Sequence, residues 1–288
     1  MSRRVQLALV LAVPLLFLAT VLMLNRAFVL RGDDYDYIVR FDMPPAGGEI
    51  GLPPVEGPPD SSRPLVVIDP GHGGHDPGAG QDRIKEKSVT LALSRAIRDE
   101  LLAGGGIRVA MTRDEDRYLM LAERFGIARR LQADLFISIH ADSAENAEAR
   151  GASVYVLSEK GSSQAAARFA ERENQADTIN GVALGNTSDE VSAILLDLSQ
   201  REAQSAAADL ARLILRELTG KTRLHEASIQ SAAFAVLKAP DVPSVLFETG
   251  YISNPDDAAW LNSPAGRRVI SRSAAQAIRA YFARRSGA

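Results

Sequence analysis

Three polar residues in this chain follow runs of apolar residues, either directly or after a short turn. His72 follows "LVVIDPG", His140 follows "LFISI" and Glu248 follows "SVLF". In open α/β sheets, ligands bind at the carboxyl ends of the strands. If the three runs are neighbouring parallel strands, we expect these side chains to meet at one edge of the sheet. Imidazole and carboxylate groups gathered there could hold a metal ion or transfer protons.

The loop "DPGHGGH" at residues 69–75 has a spacing that disfavours a phosphate site. A dinucleotide-binding loop would need glycine where the chain has Asp76, and the G-K-[ST] triplet of a P-loop does not occur in this loop. His72 and His140 instead suit a catalytic zinc, which takes three protein ligands and keeps one position open. Glu86 is the natural third ligand, because it begins the helix that follows the His72 loop. Glu86 could equally stabilise the N-terminus of that helix.

The other candidates also have structural alternatives. His140 could be a buried core histidine, and Glu248 could be a buried carboxylate that caps a turn. His75 and His225 are interpreted as surface residues. Asp69 could orient a histidine ligand or simply cap its loop, and the cap is preferred.

The elements that would position these residues alternate between strand and helix. Strands are predicted from apolar runs and helices from four-residue apolar spacing, as in Val89, Leu93, Ile97 and Leu101. This alternation predicts an α/β fold: a single domain with a mostly parallel twisted sheet flanked by helices. The predicted strands are "LVVID", "IRVAMTR", "DLFISIH", "GASVYVLS", "FAVLK" and "PSVLFETG".

Residues 159–203 interrupt the alternation. They contain two helical stretches around a loop rich in Gly, Asn, Ser and Thr, with no evident strand. We interpret them as a helical insertion, in which "VSAILLDLS" is unusually apolar.

The N-terminal region predicts export. Residues 5–24 carry no charge and match the ~30 Å hydrocarbon core in length. Within residues 1–31 they predict a membrane anchor or a signal sequence, and the anchor is favoured because "LNRAF" is a poor cleavage site. Residues 32–64 are interpreted as a Pro/Gly-rich linker, of which residues 42–64 should form no packed element. The remaining residues, 65–285, are predicted to form the catalytic domain.

Composition excludes several classes of function. The chain has 288 residues, a formal net charge of −3 and no cysteine. It therefore lacks the basic footprint of a nucleic-acid-binding protein and cannot form disulfides, thiolate metal sites or a cysteine nucleophile.

Taken together, the motifs resemble the zinc-dependent N-acetylmuramoyl-L-alanine amidases of bacterial cell walls. The matching stretches include "VVIDPGHGGHDPGA", "EKSVTLAL", "FISIHADS" and "VLFETGYISN". The resemblance implies Zn²⁺ held by His72, Glu86 and His140, with Glu248 as the catalytic carboxylate. It also implies hydrolysis of the amide bond between N-acetylmuramic acid and L-alanine of the stem peptide in periplasmic peptidoglycan.

Division-associated members of this family carry an extra helical segment where residues 159–203 lie. The resemblance therefore implies an autoinhibited enzyme of septal wall splitting, released by an activator protein that binds this segment. Glu173 in "ENQAD" is the candidate for an inhibitory contact with the metal. A zinc hydrolase of another peptide or amide, or a degenerate wall-binding module, are the alternatives. The presence of all four implied site residues disfavours the degenerate module.

Overall fold

The computed structural model describes Met23 and residues 51–80, 84–144, 146, 148–179, 182–183 and 193–287. Most of residues 1–50, and with them the predicted anchor at 5–24, lie outside this part of the chain. Among the described residues, no helix combines the length and apolar character needed to cross a membrane.

A central six-stranded sheet carries the fold. Its strands are β1 (Leu65–Pro70), β2 (Arg108–Met111), β3 (Leu135–Asp142), β4 (Ser153–Leu157), β7 (Gln230–Ala232) and β8 (Ser244–Tyr251). They lie side by side in the order β2-β1-β3-β8-β4-β7. The first four strands in this order run parallel, as do β4 and β7, and β4 pairs antiparallel with β8. This confirms the predicted mostly parallel α/β sheet. The two short strands β5 (Thr178–Ile179) and β6 (Val182–Ala183) pair with each other in a separate hairpin.

Helices cover both faces of the sheet, which is why its central strands are apolar on both sides. On one face, the apolar stripe of α1 (Glu86–Ala103) packs with α4 (Ala193–Leu218) and α6 (Pro264–Ser286) against Val66, Ile68 and Ile137. On the other face, α2 (Leu121–Arg130) and α3 (Gln164–Asn174) pack against Val67 and Phe136. A further helix, α5 (Pro255–Asn262), precedes α6 in the chain.

Three local predictions were wrong. "FAVLK" is not a strand, because Ala235–Leu237 forms a 3-10 turn whose apolar side chains pack onto the sheet. The insertion contains strand, because Thr178–Ile179 and Val182–Ala183 pair. Its predicted end at residue 203 lies inside the continuous helix α4, so the apolar second stretch of the insertion extends that helix.

The predicted linker is also partly packed. Glu56 pairs with Val109 at the outer edge of β2, where each backbone N–H donates to the partner's carbonyl at 2.8 and 2.9 Å. The compact unit accordingly includes residues from Gly51 onward. Backbone pairing of this kind needs no apolar side chain, so a Pro/Gly-rich composition did not predict it.

Candidate metal centre

Adjacent parallel strands bring the predicted site residues to the carboxyl edge of the sheet. β3 lies between β1 and β8, and His140 on β3 is the register partner of Glu248 on β8. Side chains of register partners project from the same face of a sheet. The pairing shifts register between His140 and Asp142, an irregularity of the kind that re-aims side chains next to active sites.

His72 extends from the loop after β1 and reaches the same place through an unusual backbone. Its φ of 60° lies in the left-handed region, which residues other than glycine seldom adopt. The ring of His72 is buried, and its Nδ1 bonds to the Asp76 carboxylate at 2.8 Å. This bond orients the imidazole and leaves Nε2 on the side of His140. The centroids of the two imidazole rings are 5.0 Å apart.

Glu86, at the start of α1, joins the two histidines. One carboxylate oxygen lies 3.2 Å from His72 Nε2, and the other lies 3.3 Å from His140 Nδ1. The same oxygens accept hydrogen bonds from the backbone N–H groups of Ala79 at 2.8 Å and Ala141 at 2.9 Å. The carboxylate is therefore fixed in place by its backbone donors, with one face towards each imidazole.

Glu173, near the end of α3, is the fourth residue at this point. Its Oε2 lies 3.2 Å from His140 Nδ1 and 3.5 Å from His72 Nε2. His72, His140 and Glu173 form a group whose ligand atoms lie close enough together to hold a metal ion. The structure thus brings together His72, Glu86, His140 and Glu173, and it places Glu248 beside His140 on the neighbouring strand.

The donor set fits a metal ion. Neither His72 Nε2 nor His140 Nδ1, both buried, makes a hydrogen bond to any residue within the described part of the chain. Ligands of a tetrahedral zinc lie about 2.0–2.2 Å from the metal, which sets them about 3.3–3.6 Å apart. The four distances between these nitrogens and the two carboxylates run from 3.2 to 3.5 Å.

Electrostatics reflect the mutual proximity of these groups. Burial lowers the pKa of each histidine, but the charges of Glu86 and Glu173 outweigh it and raise the pKa of His72 and of His140 to about 10. Burial acts to raise the pKa of Glu86, yet the two histidines hold it well below its usual range. Without a metal ion, the two histidines at neutral pH therefore carry protons that a metal would have to displace.

Two glycines leave room for these rings. A Cβ on Gly71 would come within 2.5 Å of the His140 imidazole, and one on Gly78 would come within 2.6 Å of His72 and 2.7 Å of Glu86. Close approach of the backbone, rather than loop flexibility alone, requires glycine at both positions.

Among the described residues, Asp69 makes no hydrogen bond to a histidine ligand or to the backbone of its own loop. Its buried carboxylate accepts hydrogen bonds from Thr112, Ser138 and Arg124. Burial acts to raise its pKa, but Arg124 and the two hydroxyls hold it below the ordinary value. His75 and His225 are exposed, as predicted.

Sequence reasoning missed three residues around the centre: Asp76, Arg113 and Arg124. Asp76 entered only as an argument against an anion, although a carboxylate four residues after a candidate ligand in a tight loop is within reach of that ligand. The arginines are buried, at 1% and 2% exposure. Their positions at the end of an apolar strand and on the helical stripe of α2 were the available signals.

Imidazole and carboxylate groups that could hold a metal ion lie at the carboxyl edge of an α/β sheet, beside a buried glutamate, an arrangement typical of metal-dependent hydrolases. The family model described as "N-acetylmuramoyl-L-alanine amidase" matches residues 66–280. The chain therefore belongs to the N-acetylmuramoyl-L-alanine amidase family, whose members hydrolyse peptidoglycan.

Similarity to individual proteins agrees with this membership. The chain is 41% identical to the amidase AmiA of Escherichia coli over 220 residues, which are 76% of each protein. It is 40% identical to the amidase AmiC of Neisseria meningitidis over 222 residues, 76% of this chain but only 53% of that longer protein. The solved amidase AmiC2 of Nostoc punctiforme superposes with a TM-score of 0.54 at 27% identity, covering 76% of this chain and 97% of that one.

Proposed function

We propose that this amidase is zinc-dependent and cleaves the bond between N-acetylmuramic acid and L-alanine of the stem peptide. We further propose that it acts in septal wall splitting and is held inactive by residues 159–203 until an activator binds them. The observation that carries the proposal is the convergence of His72 Nε2 and His140 Nδ1 on the carboxylates of Glu86 and Glu173, at 3.2 to 3.5 Å.

His72, Glu86 and His140 would hold the metal. A bound Zn²⁺ supplies Lewis acidity, which polarises the scissile carbonyl and lowers the pKa of water. Asp76 keeps the Nδ1 of His72 occupied, so that Nε2 is the nitrogen available to a ligand. Ala79 and Ala141 fix the Glu86 carboxylate through their backbone N–H groups, so this ligand needs no rearrangement on binding.

Glu248 would handle the proton of the reaction. Its side chain is fully buried within the second half of β8, in register with His140. In this role it accepts a proton from the attacking water and returns it to the nitrogen of L-alanine as the amide bond breaks. Water therefore adds across the bond, leaving the muramyl carboxylate and a free stem peptide.

The end of α3 supports autoinhibition, because Glu173 is held against the centre by its neighbours. Arg172 donates to the Ser143 carbonyl at 3.0 Å. Asn174 donates to the Ala233 carbonyl at 2.9 Å and accepts from the Ala235 N–H at 2.7 Å. These bonds support the proposed role of the Glu173 carboxylate, which would then occupy the position that water or the substrate carbonyl needs.

Asp177, one turn further on, fastens the segment to α2. Its carboxylate accepts from the Tyr118 hydroxyl at 2.8 Å and from the Leu121 N–H at 3.0 Å, at the positive N-terminus of α2. We infer that an activator opens the site by drawing this part of residues 159–203 away from α2 and β3.

The proposed place of action is the periplasm, where peptidoglycan lies, with the uncharged residues 5–24 as an inner-membrane anchor. The relatives named AmiA and AmiC are cell-wall amidases, which supports a location outside the cytoplasm. Peptidoglycan is the proposed substrate, and the activator and the membrane are the proposed partners.

Metal analysis combined with release of stem peptides from purified sacculi tests the proposal. We expect bound zinc and stem-peptide release, which Glu173→Ala increases, and the loss of both when His140→Ala is added. Glu248→Gln should retain zinc and lose hydrolysis. Equal release with and without His140→Ala would refute the site. Hydrolysis of free peptides without release from sacculi would instead favour a zinc hydrolase of another substrate.

A further inference from the structure

Arg113 is a buried cation that makes no ion pair within the described part of the chain. Its side chain is 1% exposed, and no carboxylate among the described residues accepts a hydrogen bond or ion pair from it. Burial and the nearby charge of Arg124 lower its pKa to about 10, so it stays charged at neutral pH. A buried charge without a counterion is costly unless its hydrogen bonds are satisfied, which directs attention to its acceptors.

Those acceptors belong to the two segments that carry His72 and Glu86. Nε donates to the Pro70 carbonyl at 2.9 Å, and Nη2 donates to the Gly71 carbonyl at 2.8 Å. The same Nη2 donates to the Lys87 carbonyl, next to Glu86, at 2.9 Å. One guanidinium therefore joins the loop of one candidate ligand to the first helical turn of the other.

Thr90 reinforces this junction from α1. Its buried hydroxyl donates to the Gly71 carbonyl at 2.9 Å and lies 3.3 Å from Arg113 Nη2. The planar fork of arginine presents Nε and Nη2 side by side to the Pro70 and Gly71 carbonyls, a fixed pair of donors that the single ammonium of lysine does not offer.

We propose that Arg113 is a positioning residue that sets the spacing between His72 and Glu86, and thereby the metal affinity of the centre. The inference rests on the proposed metal centre. Arg124 acts differently, because it donates to the His72 carbonyl at 2.9 Å but makes no hydrogen bond to α1 in the described part of the chain. Arg113 alone of the two spans both segments.

The test is the zinc affinity of the full chain carrying Arg113→Lys, measured by competition with a chromophoric chelator. We expect about a 10- to 100-fold loss, the range seen when partners of metal ligands are removed. Arg117→Lys is the matched control. Among the described residues, the Arg117 side chain donates to the Thr112 carbonyl and makes no hydrogen bond to either segment. The zinc affinity of Arg117→Lys should therefore stay within about twofold of wild type.

Two further readouts separate positioning from general stability. In Co²⁺-loaded protein, Arg113→Lys should change the visible absorption bands that report ligand geometry, while Arg117→Lys leaves them unchanged. In a Glu86→Gln background, Arg113→Lys should lose most of its effect on affinity, because only one of the two ligands remains to be spaced. If Arg113→Lys does not fold, Thr90→Val serves instead, with a smaller loss expected.

Failures of the two ideas are distinguishable. Unchanged affinity in His72→Ala would refute the metal centre itself. Weakened affinity in His72→Ala, together with wild-type affinity in a folded Arg113→Lys or Thr90→Val, would overturn the positioning role alone. An equal loss on Arg113→Lys in the wild-type and Glu86→Gln backgrounds would also overturn it.

Discussion

Glu173 Oε2 lies 3.2 Å from His140 Nδ1, although α3 enters the sequence after β4 and packs on the face of the sheet rather than at its edge. This proximity supports the proposal that Glu173 competes for the position that water or the substrate carbonyl would occupy. The side chain is 14% exposed. Under the proposed autoinhibition, substrate reaches the centre only once this carboxylate leaves.

Glu173→Ala should therefore raise basal activity. We expect an increase in stem-peptide release without added activator, because the variant removes the competing carboxylate and keeps the four other groups. Glu171→Ala, on the exposed side of the same helix, is the control and should leave activity unchanged. Identical basal rates for wild type and Glu173→Ala would contradict the inhibitory role.

Tyr118→Phe should weaken the closed state more gently. The variant loses the hydroxyl bonds to Asp177 Oδ1 and the Ala176 carbonyl, at 2.8 and 3.0 Å, while the ring can still stack against His75. A hydrogen bond to a charged group such as the Asp177 carboxylate contributes about 1.5–3 kcal/mol, so the open fraction and the basal rate should rise by about 10- to 150-fold at most. The rate should not rise further in the Glu173→Ala background, and an equal rise there would show that Tyr118 acts elsewhere.

Metal-dependent stabilisation should grow as pH rises. In metal-free protein, the pKa of His72 and of His140 is raised from 6.5 to about 10. Their contribution to the unfolding free energy is fully present below pH 6.5 and is lost as pH approaches 10. Metal binding releases these protons, so metal affinity rises over the same window.

Thermal unfolding with Zn²⁺ and with a chelator, from pH 6 to pH 8, measures this linkage. The difference in Tm should widen steadily with pH. A constant difference would mean that the histidines are unprotonated in the metal-free protein. Glu173→Ala should make this Tm difference change less between pH 6 and pH 8, because it removes one of the two charges that raise both histidine pKa values.

The sequence predicted the sheet well where strands are apolar on both faces, as in β1, β3 and β8. It failed at "FAVLK", because Phe234, Val236 and Leu237 are buried by packing rather than by strand pairing. Apolar character reports burial, and it separates a short strand from a buried turn poorly.

The site divides in the same way. His72, His140 and Glu248 were predictable because the carboxyl ends of parallel strands share one edge. Arg113 and Arg124 were not, since arginine is ordinarily exposed and nothing in its spacing specifies an acceptor. Their acceptors are backbone carbonyls, which every residue has, so only the folded geometry identifies them.

Gly71→Ala offers the sharpest test of the geometry around His140. A Cβ there would lie 2.5 Å from Cε1 and 2.6 Å from Nε2 of the imidazole, closer than real contacts allow. The ring or the loop after β1 must move, so metal affinity and hydrolysis should both fall by at least about tenfold.

Gly126→Ala is the control for this substitution. Gly126 lies inside α2, and a Cβ there would meet nothing within 4 Å. That variant should gain about 0.5–1 kcal/mol of stability and keep wild-type activity. Wild-type zinc affinity in Gly71→Ala would mean that His140 can bind from a different rotamer, and the site as described would then be wrong.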